Sequence, residues 1–133
     1  GKAYNRNVPS KLVEMVDEKK LGKKTGHGFY KWESGKAIKE KLSHPDQLPD
    51  DIQDRLILPM INEAVSCLND GIVNDADLLD IGVIFGTGFA PFRGGPIQYA
   101  KERGVENIIE TLKKLENKYG DRFKPATGWD MIN

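Results

Sequence analysis

The sequence predicts an all-α fold, and three observations carry that prediction. Apolar residues recur at helical spacing in the long segment after position 48, most regularly at Ile52, Leu56, Met60, Ala64 and Leu68. Helix punctuation brackets such segments, with Pro49 and Pro96 at starts and Gly71, Gly104 and Gly120 just past ends. Strand-like alternation is confined to one short stretch between Gly22 and Trp32.

Residues 1–8 have no periodicity, and so featureless an opening reads as a start imposed on a longer chain. From Pro9 to Lys20, Leu12, Val13 and Val16 fall at helical spacing, with Pro9 suited to a first turn and two lysines at the end, which predicts a short helix stopped by Gly22. A glycine-rich turn into a short extended segment follows, ending near Trp32. From Glu33 to Leu48 the chain is polar and periodless, the composition of a linker.

The main domain opens at Pro49-Asp50-Asp51, a proline and two acids suited to a first helical turn. The helix that follows has Ile57, Ile61 and Val65 beside the four-residue row, contains Pro59, and closes at Asp70-Gly71. Proline there removes the hydrogen bond to the carbonyl of Arg55, so a kink is expected. A second helix runs from Asp75 to Phe85, capped by Asp75 or Asn74, with Leu78, Leu79, Ile81, Val83 and Ile84 as its apolar content. A third spans Pro96 to Arg103. A fourth spans Val105 to Lys118, with Val105, Ile108, Ile109, Leu112 and Leu115 on one face. The tail still holds Phe123, Trp129, Met131 and Ile132 and is expected to pack on the core.

Between the second and third helices lies Phe85-Gly-Thr-Gly-Phe-Ala-Pro-Phe-Arg-Gly-Gly-Pro96. Its glycines reach backbone angles closed to other residues and its prolines fix theirs, so the link is shaped and stiff. It also carries Phe85, Phe89 and Phe92, three of the five phenylalanines, and that apolar area needs a cover: neighbouring helices, a partner surface, or an acyl-type ligand.

Composition narrows the function classes. The 133 residues make one domain with a small appendage, enough to bury about two-thirds of the unfolded surface. Twenty basic residues balance twenty acidic ones with no block of like charge, which argues against nucleic acid and anionic membrane as partners. The longest apolar run, Ile81 to Phe89, is far short of the ~20 residues of a membrane span. Cys67 has no second cysteine to pair with, which fits a reducing cytosol, and with only His27 and His44 it gives no metal-ligand spacing.

Four stretches in order carry a resemblance. Leu21-Gly-Lys-Lys-Thr-Gly-His-Gly-Phe-Tyr-Lys-Trp32, Leu58-Pro-Met-Ile-Asn-Glu-Ala-Val65, Asp80-Ile-Gly82 and Gly86-Thr-Gly-Phe-Ala-Pro-Phe-Arg-Gly-Gly-Pro96 together resemble the C-terminal part of 3-hydroxyacyl-CoA dehydrogenases. More narrowly, the chain is similar to the last segment of the multifunctional fatty-acid oxidation α subunits, which join that activity to enoyl-CoA hydratase. The resemblance covers nearly the whole chain. It implies a helical domain like the C-terminal domain of 6-phosphogluconate dehydrogenase. It also implies that residues 1–35 end a first helical repeat, 36–48 link, and 49–133 form a second repeat.

The resemblance further implies a bacterial, cytoplasmic enzyme of fatty-acid β-oxidation, with NAD as the cofactor of the full-length protein and none bound by this segment. The upstream domains, acyl-CoA and a thiolase β subunit are the implied partners. The family's NAD fingerprint and its catalytic histidine and glutamate lie upstream of what is present here, so no catalytic, cofactor or metal residue is expected. The residues agree: Gly86-x-Gly88 has Pro91 and Gly26-x-Gly28 has Lys31 where a dinucleotide loop needs a third glycine.

His27 reads as an exposed turn histidine, lacking the frame and carboxylate of a base, and His44 reads as linker. Asn62-Glu63 reads either as a site carboxylate or as a polar pair satisfied at a helix contact. Phe85 is the substrate-binding candidate, standing where the family usually has a tyrosine that touches acyl-CoA, with core packing as the alternative. Phe89, Phe92 and Arg93 read as a cap on the helix junction, and Arg93 is a second substrate candidate through a CoA phosphate.

Three functions follow. The first is a buttress that helps complete an acyl-CoA cleft and is inert alone. The second is an interaction module that self-associates, including as a homodimer, through an apolar patch. The third is an unrelated helical domain with its own small apolar ligand.

Overall fold

The computed structural model describes residues 8–39 and 48–132. It divides the chain into two compact units, Gly1–Gln47 and Leu48–Asn133. His44 and residues 40–47 of the expected linker lie outside the described residues, as does the opening to residue 7.

Among its described residues the N-terminal unit holds one helix and one hairpin. Helix α1 (Ser10–Asp17) follows Pro9. It stops earlier than the sequence suggests, because Lys19 turns left-handed at φ 58° and the Lys20 amide reaches back 2.7 Å to the Met15 carbonyl. Gly22 is therefore not its terminator. Met15 is buried, while Leu12, Val13 and Val16, the expected apolar set, are exposed.

The Gly-Lys-Lys-Thr-Gly turn is organised by Thr25. Its hydroxyl accepts from the Leu21 amide and donates to the His27 carbonyl, both at 3.0 Å, and that carbonyl also takes the Gly22 amide at 2.7 Å. The two backbones run so close that a Cβ on Gly28 would stand 2.6 Å from the Gly22 Cα, which requires glycine at 28. Strands β1 (Lys31–Glu33) and β2 (Lys36–Ile38) then pair antiparallel, with Trp32 opposite Ala37. The turn between them is Ser34-Gly35, both at positive φ, a two-residue hairpin turn inside what reads from the sequence as linker.

The C-terminal unit is a helical domain around helix α2 (Ile52–Asn69), which packs against α3 (Ala76–Thr87), α4 (Pro96–Arg103) and α5 (Val105–Tyr119). The helix runs continuously through Pro59. Its buried stripe is Leu58, Ile61, Ala64 and Val65, and Leu56 is exposed. The reason is geometric. A row taken every four residues precesses about 40° per step on a 3.6-residue helix, so Leu56 lies away from the face that Ala64 and Leu68 reach.

Helix α5 is more regular: Ile108, Leu112 and Leu115 enter the core, with Val105 and Ile109 packed against it. The tail docks as expected, burying Phe123, Trp129 and Ile132, although Met131 is exposed.

Polar ties close the domain. Asn62, on α2, donates 2.9 Å to the Lys124 carbonyl and accepts from the Ala126 amide (2.8 Å) and the Trp129 indole N–H (2.9 Å). That satisfies Asn62 at an internal contact, as the second reading of this pair expects; Glu63 beside it is exposed. Arg103 at the end of α4 pairs in two-point fashion with Asp54 of α2, which raises its pKa further. Asp51, before α2, accepts from the Lys118 ammonium (2.9 Å) and the Tyr119 hydroxyl (2.8 Å) of α5, and these bonds hold its pKa below the ordinary carboxylate value.

Two outcomes follow. Asn62→Ala removes three hydrogen bonds and strands a buried indole N–H, so urea unfolding should show a loss of about 1–3 kcal/mol. For Asp51, a depressed folded pKa means the stabilisation is present above about pH 4 and lost as pH falls through the folded value. Asp51→Asn should therefore lower the melting temperature at pH 7, and the gap from wild type should close in acid.

Candidate functional site

The candidate site is the turn between α3 and α4, and one carboxylate builds it. Asp75 caps α3, its side chain accepting from the Leu78 amide at 2.8 Å. One turn on, Asp80 points inward and is 6% exposed, the buried charged residue of this domain's described part. Its two oxygens accept from the Ile97 amide (2.7 Å) and the Gln98 amide (2.9 Å), the free donors in the first turn of α4. Burial pushes its pKa up, against the two amides, which hold it down.

The intervening chain is folded to suit that contact. Gly88 ends α3 in the left-handed region, Pro91–Arg93 make a single 3-10 turn, and Gly94 is left-handed again. At Gly95, with φ 101°, a Cβ would stand 2.3 Å from the Asp80 Cβ, so helix and turn meet only because no side chain is there. Pro96 then begins α4, where its missing N–H costs nothing.

This turn sorts the three phenylalanines. Phe89 is buried, whereas Phe85 and Phe92 are 86% and 84% exposed, so Phe85 is not part of this domain's core. Of the residues expected to cap the helix junction, Phe89 is buried and Phe92 is exposed. Arg93 is exposed, with its guanidinium 5.6 Å from the ring centres of both Phe92 and Tyr99. Phe85 and Arg93 thus sit on opposite ends of one braced turn.

The remaining candidates belong to other elements. His27 is exposed in the N-terminal hairpin. Cys67 on α2 is half-buried, and burial, then Glu63 and Asp70, push its thiol pKa up. Among the described residues no cluster of metal-ligating side chains forms, and no helix is long and apolar enough to cross a membrane.

The glycine pairs do not fit a dinucleotide either. Gly86 and Gly88 close the C-terminal end of α3, the carbonyl end of a helix, where a pyrophosphate needs the amide end. Gly26 and Gly28 are followed by strands β1 and β2, where a dinucleotide loop leads into a helix.

What the residue-by-residue reading missed is the role of Asp80. The signal is an acid beyond the first turn of a largely apolar helix, followed by Gly-Gly-Pro, a sequence in which the first turn of a helix comes close to another backbone.

No family model matches the chain. Curated relatives do. The fatty acid oxidation complex subunit alpha of Vibrio vulnificus (strain CMCP6) is 41% identical over 128 residues, covering 90% of this chain and 18% of that protein. The subunit alpha of Vibrio parahaemolyticus serotype O3:K6 is 43% identical over 122 residues, 86% of this chain and 17% of that protein. That of Shewanella sp. (strain MR-4) is 35% identical over 133 residues. The resemblance drawn from the four sequence stretches therefore holds. The chain is similar over nine-tenths of its length to a segment of these alpha subunits and spans less than a fifth of their length.

The brace is open to test. Asp80→Asn leaves an amide group facing one backbone N–H, and Gly95→Ala drives a methyl into Asp80. Each should lower unfolding free energy by about 1–3 kcal/mol and speed hydrogen exchange at the Ile97 and Gln98 amides.

Proposed function

We propose that this chain is the closing segment of a multifunctional β-oxidation enzyme, and that it serves as a structural buttress which helps complete an acyl-CoA cleft. In this reading the full polypeptide carries NAD-dependent 3-hydroxyacyl-CoA dehydrogenase and enoyl-CoA hydratase activities, with a thiolase β subunit as partner of the whole. The chemistry then belongs to upstream domains, and this segment contributes shape. The observation that supports the reading is Phe85, a large apolar ring held out from the end of α3 on a turn that Asp80 braces from behind.

Within that reading the two candidates divide the ligand. Phe85 offers apolar contact to the acyl or pantetheine part but no hydroxyl. Arg93 offers an exposed guanidinium suited to a CoA phosphate. Neither donates or accepts a proton in a reaction, so substitutions should act on binding rather than turnover.

A second reading, an interaction module, is favoured by a different observation. Leu78, Ile81 and Phe85 lie on one face of α3 and are all exposed.

The test uses both the chain and the complete enzyme that contains it. The isolated chain should produce no NADH from a 3-hydroxyacyl-CoA and NAD. In the complete enzyme, Phe85→Ala should raise KM about tenfold with kcat little changed, the scale of one lost apolar contact. Turnover by the isolated chain, or an unchanged KM, would overturn the proposal.

A further inference from the structure

We infer that the turn between α3 and α4 binds the nucleotide end of coenzyme A, with Phe92 stacking on the adenine and Arg93 holding a phosphate. The inference rests on the acyl-CoA reading above and gives a role to Phe92, which that reading leaves out. Phe92 is 84% exposed although the chain that carries it is fixed. Pro91–Arg93 form a 3-10 turn that the Gly94 amide closes on the Pro91 carbonyl at 3.0 Å. A Cβ on Gly94 would stand 2.6 Å from the Gln98 side chain, so the turn meets α4 closely only because glycine is there. A stiff turn thus holds a ring in water, where its burial free energy is unrealised and its face is open to a second aromatic system.

Arg93 is the sole basic residue between Arg55 and Lys101, in a domain whose residues 48–133 carry nine basic and fourteen acidic side chains. Its exposed guanidinium is positioned by contacts that reach back into the fold. It lies 5.6 Å from the ring centres of both Phe92 and Tyr99, the Tyr99 hydroxyl accepts from Arg103 at 3.3 Å, and Arg103 pairs with Asp54 of α2. An arginine that meets rings through its planar face keeps its N–H edge for an anion, and that edge fits phosphate in two-point fashion. Because the rings restrict the side chain before any ligand arrives, less freedom is lost on binding.

A ring and a guanidinium on adjacent residues suit a ligand that carries an aromatic system and a phosphate a short distance apart. The nucleotide end of coenzyme A is such a group, since adenine and phosphate are attached to one ribose. Its pantetheine arm has neither, and falls instead to Phe85, seven positions earlier on α3. The first amides of α4 do not compete for the phosphate: Ile97 and Gln98 already donate to Asp80. Arg93 is therefore the group on this turn that meets the anion.

Steady-state kinetics of the complete enzyme with two substrates tests this: a 3-hydroxyacyl-CoA and the matching 3-hydroxyacyl-pantetheine, which lacks the nucleotide. The ratio of their KM values isolates what the nucleotide end contributes. Phe92→Ala and Arg93→Ala should each shrink the advantage of the CoA thioester about tenfold, the scale of one lost stacking or phosphate contact. Both positions are exposed, so circular dichroism should report an unchanged fold. Phe85→Ala should instead raise both KM values and keep their ratio, because its contact is with the part the two substrates share. A wild-type ratio in either the Phe92 or the Arg93 variant would overturn this inference. If Phe85→Ala still raises both KM values in that case, the acyl-CoA reading stands and the nucleotide site alone falls; if no variant changes either KM, both fall.

Discussion

The domain depends on a carboxylate placed where a helix begins. Asp80 satisfies the first amides of α4, and through them it sets the approach of α4 to α3 and the path of the chain between. The contact is short because Gly95 has no side chain, so acid and glycine form one unit although fifteen positions separate them. A charged group this deeply buried is tolerable only when donors meet it, and here the donors are backbone groups that would otherwise have been orphaned. One interaction answers two deficits. The exposed position of Arg93 lies on that fixed path.

A second layer of polar ties acts at the periphery. Asn62 fastens the tail, Asp54 and Arg103 join α2 to α4, and Asp51 joins the start of α2 to the end of α5. These residues do not supply the bulk of the stabilisation, which comes from the Leu58, Ile61, Ile97, Ile108 and Leu112 core. They decide which of the possible apolar packings is adopted, since each bond is directional and each partner comes from a distant part of the chain.

Much of this was legible in the sequence. Helices α4 and α5 begin and end at the proline and glycines that mark them, and Asp75 caps α3 as its position suggests. The resemblance to alpha subunits was legible too, because it rests on several motifs in order. The failures have physical causes. Leu56 reads inward because a four-residue row looks straight in sequence, and it faces solvent because that row is slanted on a helix. Gly22 reads as the end of α1, since a lysine at positive φ is uncommon and leaves no compositional mark. The hairpin at Ser34-Gly35 was hidden by polar strands only three residues long. For Phe85, hydrophobicity alone does not distinguish core from surface; it lies on the face of α3 that Leu78 and Ile81 also expose.

The tail clasp carries a consequence for how this family of sequences can drift. Asn62 reads the Lys124 carbonyl and the Ala126 amide, which are main-chain groups common to nearly every residue type, and only at Trp129 does it depend on a particular side chain. Positions 124 and 126 are thus free to vary in identity while the fastening persists, with proline barred at 126 because it lacks the N–H. Residues 62 and 129 are expected to change together or not at all. Among homologues, the segment between should look poorly constrained while holding the same path.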